Sequence, residues 1–245
     1  MFNQENVLIP FSVSELPKGP WLVFAPHADD ETFGMGGTLL KAKQQGIKTH
    51  LVVLTDGALG GDTPDLIKVR QEEVTIASKL LGLSSLHLWS APDRSLYPNE
   101  EIINKAKDII SLISPASVFF PAVLEIHPDH RATTYIVWES LRQRWLEGKF
   151  VQPISYEIGV QSPINFLIDI TEQQVGKNSV MHVYKSQNEE NNYPELVTAL
   201  DRGRTFSLPQ GVDYAEGFFQ YEIKDLEQSI ERAIHSSISL YLKLN

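Results

Sequence analysis

Two short segments gather most of the side chains that could do chemistry together. The first reads Pro26-His27-Ala28-Asp29-Asp30-Glu31 and the second His127-Pro128-Asp129-His130-Arg131. Imidazole nitrogens and carboxylate oxygens are what a transition metal takes when no thiolate is on offer, and this chain has no cysteine. A catalytic metal keeps three protein ligands and one open position, so two histidines and one aspartate from these segments would suffice. With seven histidines and twelve aspartates in 245 residues, chance would supply a His-x-Asp-His match roughly 0.01 times. Chance is therefore a poor explanation of the second segment. The first alone is weaker, because His-x-Asp-Asp also describes a turn whose carboxylates cap a following helix. The second motif tips the balance toward a metal.

Such residues need a scaffold, and the hydrophobic pattern supplies one. Residues 21–25 form a continuous apolar run ending at Pro26, the mark of a buried strand in a parallel sheet. Gly36-Gly37-Thr38 leads into a helix over 39–45 that stops at Gly46, and residues 50–54 repeat the strand signal. Strand, helix and strand within about thirty residues make a βαβ unit with a right-handed crossover. The pattern predicts a helix over 67–81, a strand over 86–89, a helix over 100–113 and a fourth strand over 118–120. Further strands are expected over 154–158 and 165–170, with a helix over 172–186 and a closing helix over 225–243. This alternation implies a doubly wound α/β sheet and, with no linker in sight, one domain over residues 1–245. Ligands of such sheets collect at the carboxyl ends of the strands near the topological switch point. The two motifs follow strands one and four, where that rule wants them.

Charge and composition exclude other classes. The net charge of -10, from 21 basic against 31 acidic residues, lacks the dense cationic surface that a nucleic-acid backbone requires. The opening Met-Phe-Asn-Gln-Glu-Asn shows no secretory pattern, and no apolar run is long enough to span a bilayer. The expectation is a soluble, cytoplasmic enzyme. A nucleotide-binding site would need a glycine-rich turn after strand one, whereas residues 26–31 put carboxylates there that would repel a pyrophosphate.

The two motifs together resemble the LmbE-like family, also called the PIG-L deacetylases. Leu54-Thr55-Asp56-Gly57, Arg70-Gln71-Glu72-Glu73, Pro92-Asp93-Arg94, Ser186-Gln187 and Ala215-Glu216-Gly217-Phe218 extend the likeness over most of the chain. One departure is Ala28, where the family usually has proline between the histidine and the paired aspartates. The resemblance implies a Rossmann-like α/β fold, a three-layer, mostly parallel sheet with additional C-terminal strands and helix. It implies one catalytic zinc and hydrolysis of an N-acetyl group on a small amino-sugar substrate containing N-acetylglucosamine. The family's ligands fall on His27, Asp30 and His130, its general base on Asp29 and its oxyanion-stabilising histidine on His127. Asp129 sits where a carboxylate would orient that imidazole.

Simpler readings compete at other positions. His50, His87, His182 and His235 fall inside strands or helices and are given no role. Arg70 is equally well a solvated helix-face charge paired with Glu73 or a substrate contact. Asp93 and Arg94 are either turn residues or partners for sugar hydroxyls, and Glu216 is a candidate through the resemblance alone. Tyr135, Trp138 and Trp145 are either an exposed contact for a second copy of the chain or core. Iron, cobalt and manganese occupy comparable nitrogen and oxygen sites. The alternatives to a deacetylase are a zinc amidase acting on a non-sugar amide and a catalytically inactive carbohydrate-binding relative.

Overall fold

Trp21–Ala25 (β1) is buried along its whole length: Trp21, Val23 and Ala25 face one hydrophobic layer, Leu22 and Phe24 the other. Burial on both faces is why the run is continuous instead of alternating. The computed structural model describes residues 9–61 and 64–242. The N-terminal hexapeptide and the last residue of the expected closing helix, 243, lie outside them.

After β1 the chain forms Asp30–Gln44 (α1), Thr49–Thr55 (β2), Leu66–Leu81 (α2), Ser85–Ala91 (β3), Glu100–Ile113 (α3), Ser117–Pro121 (β4), Pro128–Leu146 (α4) and Gln152–Tyr156 (β5). Phe166–Asp169 (β6), Gln174–Met181 (α5), Lys185–Asn188 (α6), Tyr193–Gly203 (α7), Ala215–Gln220 (β7) and Ile230–Leu242 (α8) complete it. The seven strands run β3-β2-β1-β4-β5-β7-β6. The first five are parallel, and β7 is antiparallel to both its neighbours. Helices α1, α2, α5 and α7 cover one face, with Leu39, Val74, Met181 and Val197 in its core. Helices α3, α4 and α8 cover the other through Ile103, Ala106, Trp138, Leu141 and Ile230. The expected three-layer, doubly wound α/β sheet with extra C-terminal elements is what forms.

The chain steps outward from β1 to β3 and returns to β4 on the other side of β1, with Trp21 beside Ser117 and Val23 beside Phe119. The loops after β1 and β4 therefore leave from adjacent strand ends. That is the switch point, and it brings the two motifs together.

Several boundaries differ from expectation. Helix α1 begins at Asp30, and the expected entry at residues 36–38 is instead a kink at Met35 (φ -149°, ψ 23°). Past the kink, the Glu216 carboxylate accepts the backbone N–H groups of Gly37 at 2.8 Å and Thr38 at 2.7 Å, capping a second helical segment. The helix expected over 172–186 is a 3-10 turn at Thr171–Gln173 followed by α5 and, after a break, α6. The closing helix is likewise split into a 3-10 turn at Ile223–Glu227 and α8. Helix α7 and strand β7 were not foreseen. Trp138 is 1% exposed and belongs to the core, which removes it from any aromatic contact surface. Among the described residues no helix is long and apolar enough to cross a membrane.

Candidate active site

The first loop is held by hydrogen bonds that its own sequence provides. The Asp29 carbonyl accepts the N–H groups of Thr32 and Phe33 at 2.9 and 2.8 Å, which starts α1. This turn sets Asp29 at φ 133°, a region that side-chain-bearing residues rarely enter and that costs on the order of 1–3 kcal/mol. Neighbouring groups enforce it. The Asp29 N–H donates to Glu31 at 3.2 Å, and the fully buried Glu31 accepts the hydroxyls of Thr32 and Tyr184. From α2, Arg70 donates to the Ala28 carbonyl at 2.9 Å, lies 3.4 Å from the Asp29 carboxylate and reaches the Gly57 carbonyl. Gly57 leaves the space for it: a Cβ there would stand 2.7 Å from Arg70 Nε. Arg70 is 4% exposed, so the solvated-face reading fails, and Glu73 bonds Ser186 instead.

The centre of the arrangement is one oxygen. Asp30 Oδ2 lies 3.2 Å from His27 Nδ1 and 3.3 Å from His130 Nε2. The far nitrogen of each ring faces other carboxylates: His27 Nε2 is 3.2 Å from Asp129 and 3.3 Å from Asp93, and His130 Nδ1 is 3.5 Å from Glu125. One nitrogen of each ring thus faces the same carboxylate oxygen. These carboxylates demand positive charge at the two rings, met by ring protons or by a metal that displaces them. The two separations from Asp30 Oδ2 match the ~3.3 Å between neighbouring ligands of a tetrahedral centre with bonds of about 2.0–2.1 Å. Among the described residues, the groups whose ligand atoms all lie within 4.8 Å of one another are His27 with His127 and His130, and His27 with Asp93, His127 and Asp129.

The titration behaviour expresses the same demand. Burial alone would lower His27, yet its hydrogen bonds to Asp129, Asp30 and Asp93 hold it well above the usual imidazole range. His130 overcomes its burial in the same way and is raised to about 9, chiefly by Asp30. Asp30, opposing its own burial, is held far below the carboxylate range by both rings. Burial pushes Asp29 up to about 7, with Asp30 and Glu31 adding to the rise and Arg70 opposing it. His127 goes down, through burial and the neighbouring positive rings.

The remaining candidates divide differently from expectation. Asp129 does not hold His127 through its carboxylate, which is 4.0 Å from that ring and instead accepts the N–H groups of Arg94 and Leu96 beside His27. His127 is held by the Asp129 backbone, whose N–H donates to Nδ1 at 3.2 Å, so Nε2 keeps the ring proton. Asp93 is buried against His27 and accepts the Leu59 N–H at 3.0 Å. Arg94 lies on the cleft wall with its side chain on the Leu59 carbonyl. Glu216 caps the second segment of α1 and is not among the residues lining the cleft. Of the four histidines given no role, His50 and His87 share the Ser85 hydroxyl on the β2–β3 edge, and His182 bonds back to α5. Glu125 went unnoticed in the sequence; a carboxylate five residues before His130 carries no signal until the loop path is known. It also accepts the N–H groups of Ile158 and Gly159, tying the loop after β5 to the centre.

His27, Asp29, Asp30, Arg70, Asp93, Arg94, Glu125, His127 and His130 line a cleft of about 970 Å³ at the ends of β1 and β4. The model of the PIG-L family, described as GlcNAc-PI de-N-acetylase, matches residues 22–141. A probable N-acetyl-alpha-D-glucosaminyl L-malate deacetylase 2 of Bacillus anthracis is 28% identical over 228 residues, covering 83% of this chain and 96% of the relative. The diacetylchitobiose deacetylase of Thermococcus kodakarensis is 30% identical over 222 residues, 80% of each chain. Among solved structures, a conserved protein of Thermus thermophilus superposes with a TM-score of 0.74 at 28% identity, covering 82% of this chain and 94% of the other.

Proposed function

Because the chain belongs to the PIG-L family of deacetylases, we propose that it is a metal-dependent hydrolase that removes the acetyl group from an N-acetylated amino sugar. The observation that carries this reading is the single Asp30 oxygen set between two imidazoles, each backed by a buried carboxylate. His27, Asp30 and His130 would hold a zinc ion, with Asp129 and Asp93 orienting the first ring and Glu125 the second. When bound, zinc polarises an amide carbonyl as a Lewis acid and makes water acidic enough to attack near neutral pH.

The protein's own groups supply the proton traffic. Asp29 takes the proton of the attacking water at its carboxylate and returns it to the departing amine, completing the hydrolysis. Arg70, 3.4 Å away, fixes where that carboxylate points. His127 donates its Nε2 proton in a hydrogen bond to the oxyanion, and the backbone of Asp129 keeps that nitrogen free for it. Arg94 is the remaining candidate for sugar hydroxyls, whereas Asp93 and Arg70 act on neighbouring protein groups.

The test is metal content by mass spectrometry together with amine release from N-acetylglucosamine derivatives. Near-stoichiometric zinc and release that stops on chelation and returns with zinc are expected. Protein that binds no metal and regains none would overturn the reading.

A further inference from the structure

The cleft continues past the polar centre onto an apolar wall, and we propose that this wall is a subsite for an uncharged, apolar substituent on the amino sugar. The inference rests on the deacetylase reading and specifies its substrate class. The wall consists of Leu59 from the loop after β2, Ile126 from the loop after β4, Val160 beyond β5, and Tyr193, Leu196 and Leu200 from α7. Leu59, Ile126 and Leu196 are 53%, 79% and 50% exposed. A single exposed leucine is ordinary, but four separate segments presenting large aliphatic side chains to one mouth is not.

Helix α7 shows how the wall is made. Pro194, Val197 and Asp201 are its buried residues, while Tyr193, Leu196 and Leu200 recur at spacings of three and four along the side toward the cleft. Tyr193 is anchored by stacking on Phe33 at 5.6 Å, three residues from the proposed ligand Asp30. The apolar strip is thus fixed relative to the hydrolytic centre. At about 970 Å³ the cleft is at the upper end of the ~300–1,000 Å³ usual for small-molecule pockets, with space for a sugar and a substituent.

Charge argues against an acidic substituent. Among the described residues lining the cleft there is no lysine, and the guanidinium groups are Arg70 and Arg94. Arg70 is committed to Ala28, Asp29 and Gly57, and Arg94 donates to the Leu59 carbonyl at 3.2 Å. A carboxylate or phosphate on the substituent would lie on an apolar strip that carries no lysine or arginine among the described residues.

The experiment compares methyl, hexyl and 5-carboxypentyl N-acetylglucosaminides, below any micelle concentration, with the zinc-loaded full-length chain. The KM for the hexyl glycoside should be at least about tenfold below that for the methyl glycoside, the effect of burying roughly two methylenes. The carboxypentyl glycoside, of matching length, should show no such gain. Leu196→Asp should bring the hexyl and methyl values together, and Ile126→Asn, on the opposite wall, should narrow the gap independently. Equal KM for hexyl and methyl in the wild type, or a preference for the carboxypentyl compound, overturns the subsite. If none is hydrolysed, calorimetric binding of the same three compounds decides. The same order of affinity, lost in Leu196→Asp, keeps the subsite and removes the deacetylase reading; equal affinities overturn the subsite.

Discussion

Asp30 Oδ2 also accepts the His27 backbone N–H at 2.9 Å, so this oxygen stays directed at the two rings whatever the rings do. Residues that act through a ring can then be separated by experiment from those that touch the reacting atoms. His127→Ala should keep its metal and lose about 100- to 1000-fold in kcat, because only an oxyanion donor disappears. Parallel metal analysis and steady-state kinetics check this, and full activity would end the assignment. Glu125→Gln should do the reverse of sparing the metal. An amide lacks the charge that faces the His130 ring from 3.5 Å away, so metal affinity, read by competition with a chelator, should fall roughly 10- to 100-fold; an unchanged affinity would detach Glu125 from the centre. That the two motifs meet was legible in the sequence, because both follow strands that end at the switch point. The outer partners were not. Asp129 was expected on His127 and holds His27, a matter of loop path that residue spacing does not encode.

At the level of elements, α1 is the part on which the site's position most depends, and its closeness to the sheet comes from a missing side chain. A Cβ on Gly34 would sit 2.4 Å from the Glu157 carbonyl oxygen and 2.5 Å from the Tyr156 ring. Backbone cannot swing aside as a long side chain can. Gly34→Ala should therefore destabilise by about 2 kcal/mol, a fall in thermal midpoint of roughly 4–8 °C. Differential scanning calorimetry would show it, and an unchanged midpoint would mean the helix has room to shift. The strands β1, β2 and β4 and helices α2 and α3 were readable because apolar runs and clean helical spacing report two-sided burial and amphipathic packing. Strand β7 was not, since Ala215-Glu216-Gly217 puts a buried carboxylate and a glycine where a strand normally shows alternation. Helix α1 was read from its second segment only; its first turn, Asp30-Glu31-Thr32, looks like a polar loop and is buried because the site is there.

The molecule as a whole carries a second buried charge cluster away from the cleft. Lys177, with no exposed surface, lies 2.7 Å from Asp201 and 2.8 Å from Glu216, linking α5, α7 and β7. Burial pushes Asp201 up to about 7, with Lys177 opposing and Glu216 adding to the rise. The folded state thus binds this proton more tightly than the unfolded chain, where an aspartate titrates near ~3.9. Its contribution to stability is complete below that pH and is lost as pH rises through about 7. Asp201→Asn has no such proton to lose. The stability of the wild type relative to the variant should decline between pH 4.5 and 7.5 in denaturant unfolding, and a constant difference would show that Asp201 does not titrate there. The adjacency of β1 and β4 has a further consequence, for biogenesis. The contact between His27 and Asp129 spans 102 residues, so Asp29, Asp30 and Glu31 leave the ribosome well before the second loop exists. A nascent β1–α1–β2 unit is an acidic turn still lacking His130, unable to close the centre. The centre therefore closes only after about half of the chain has been made, with β5, β6 and β7 still to follow.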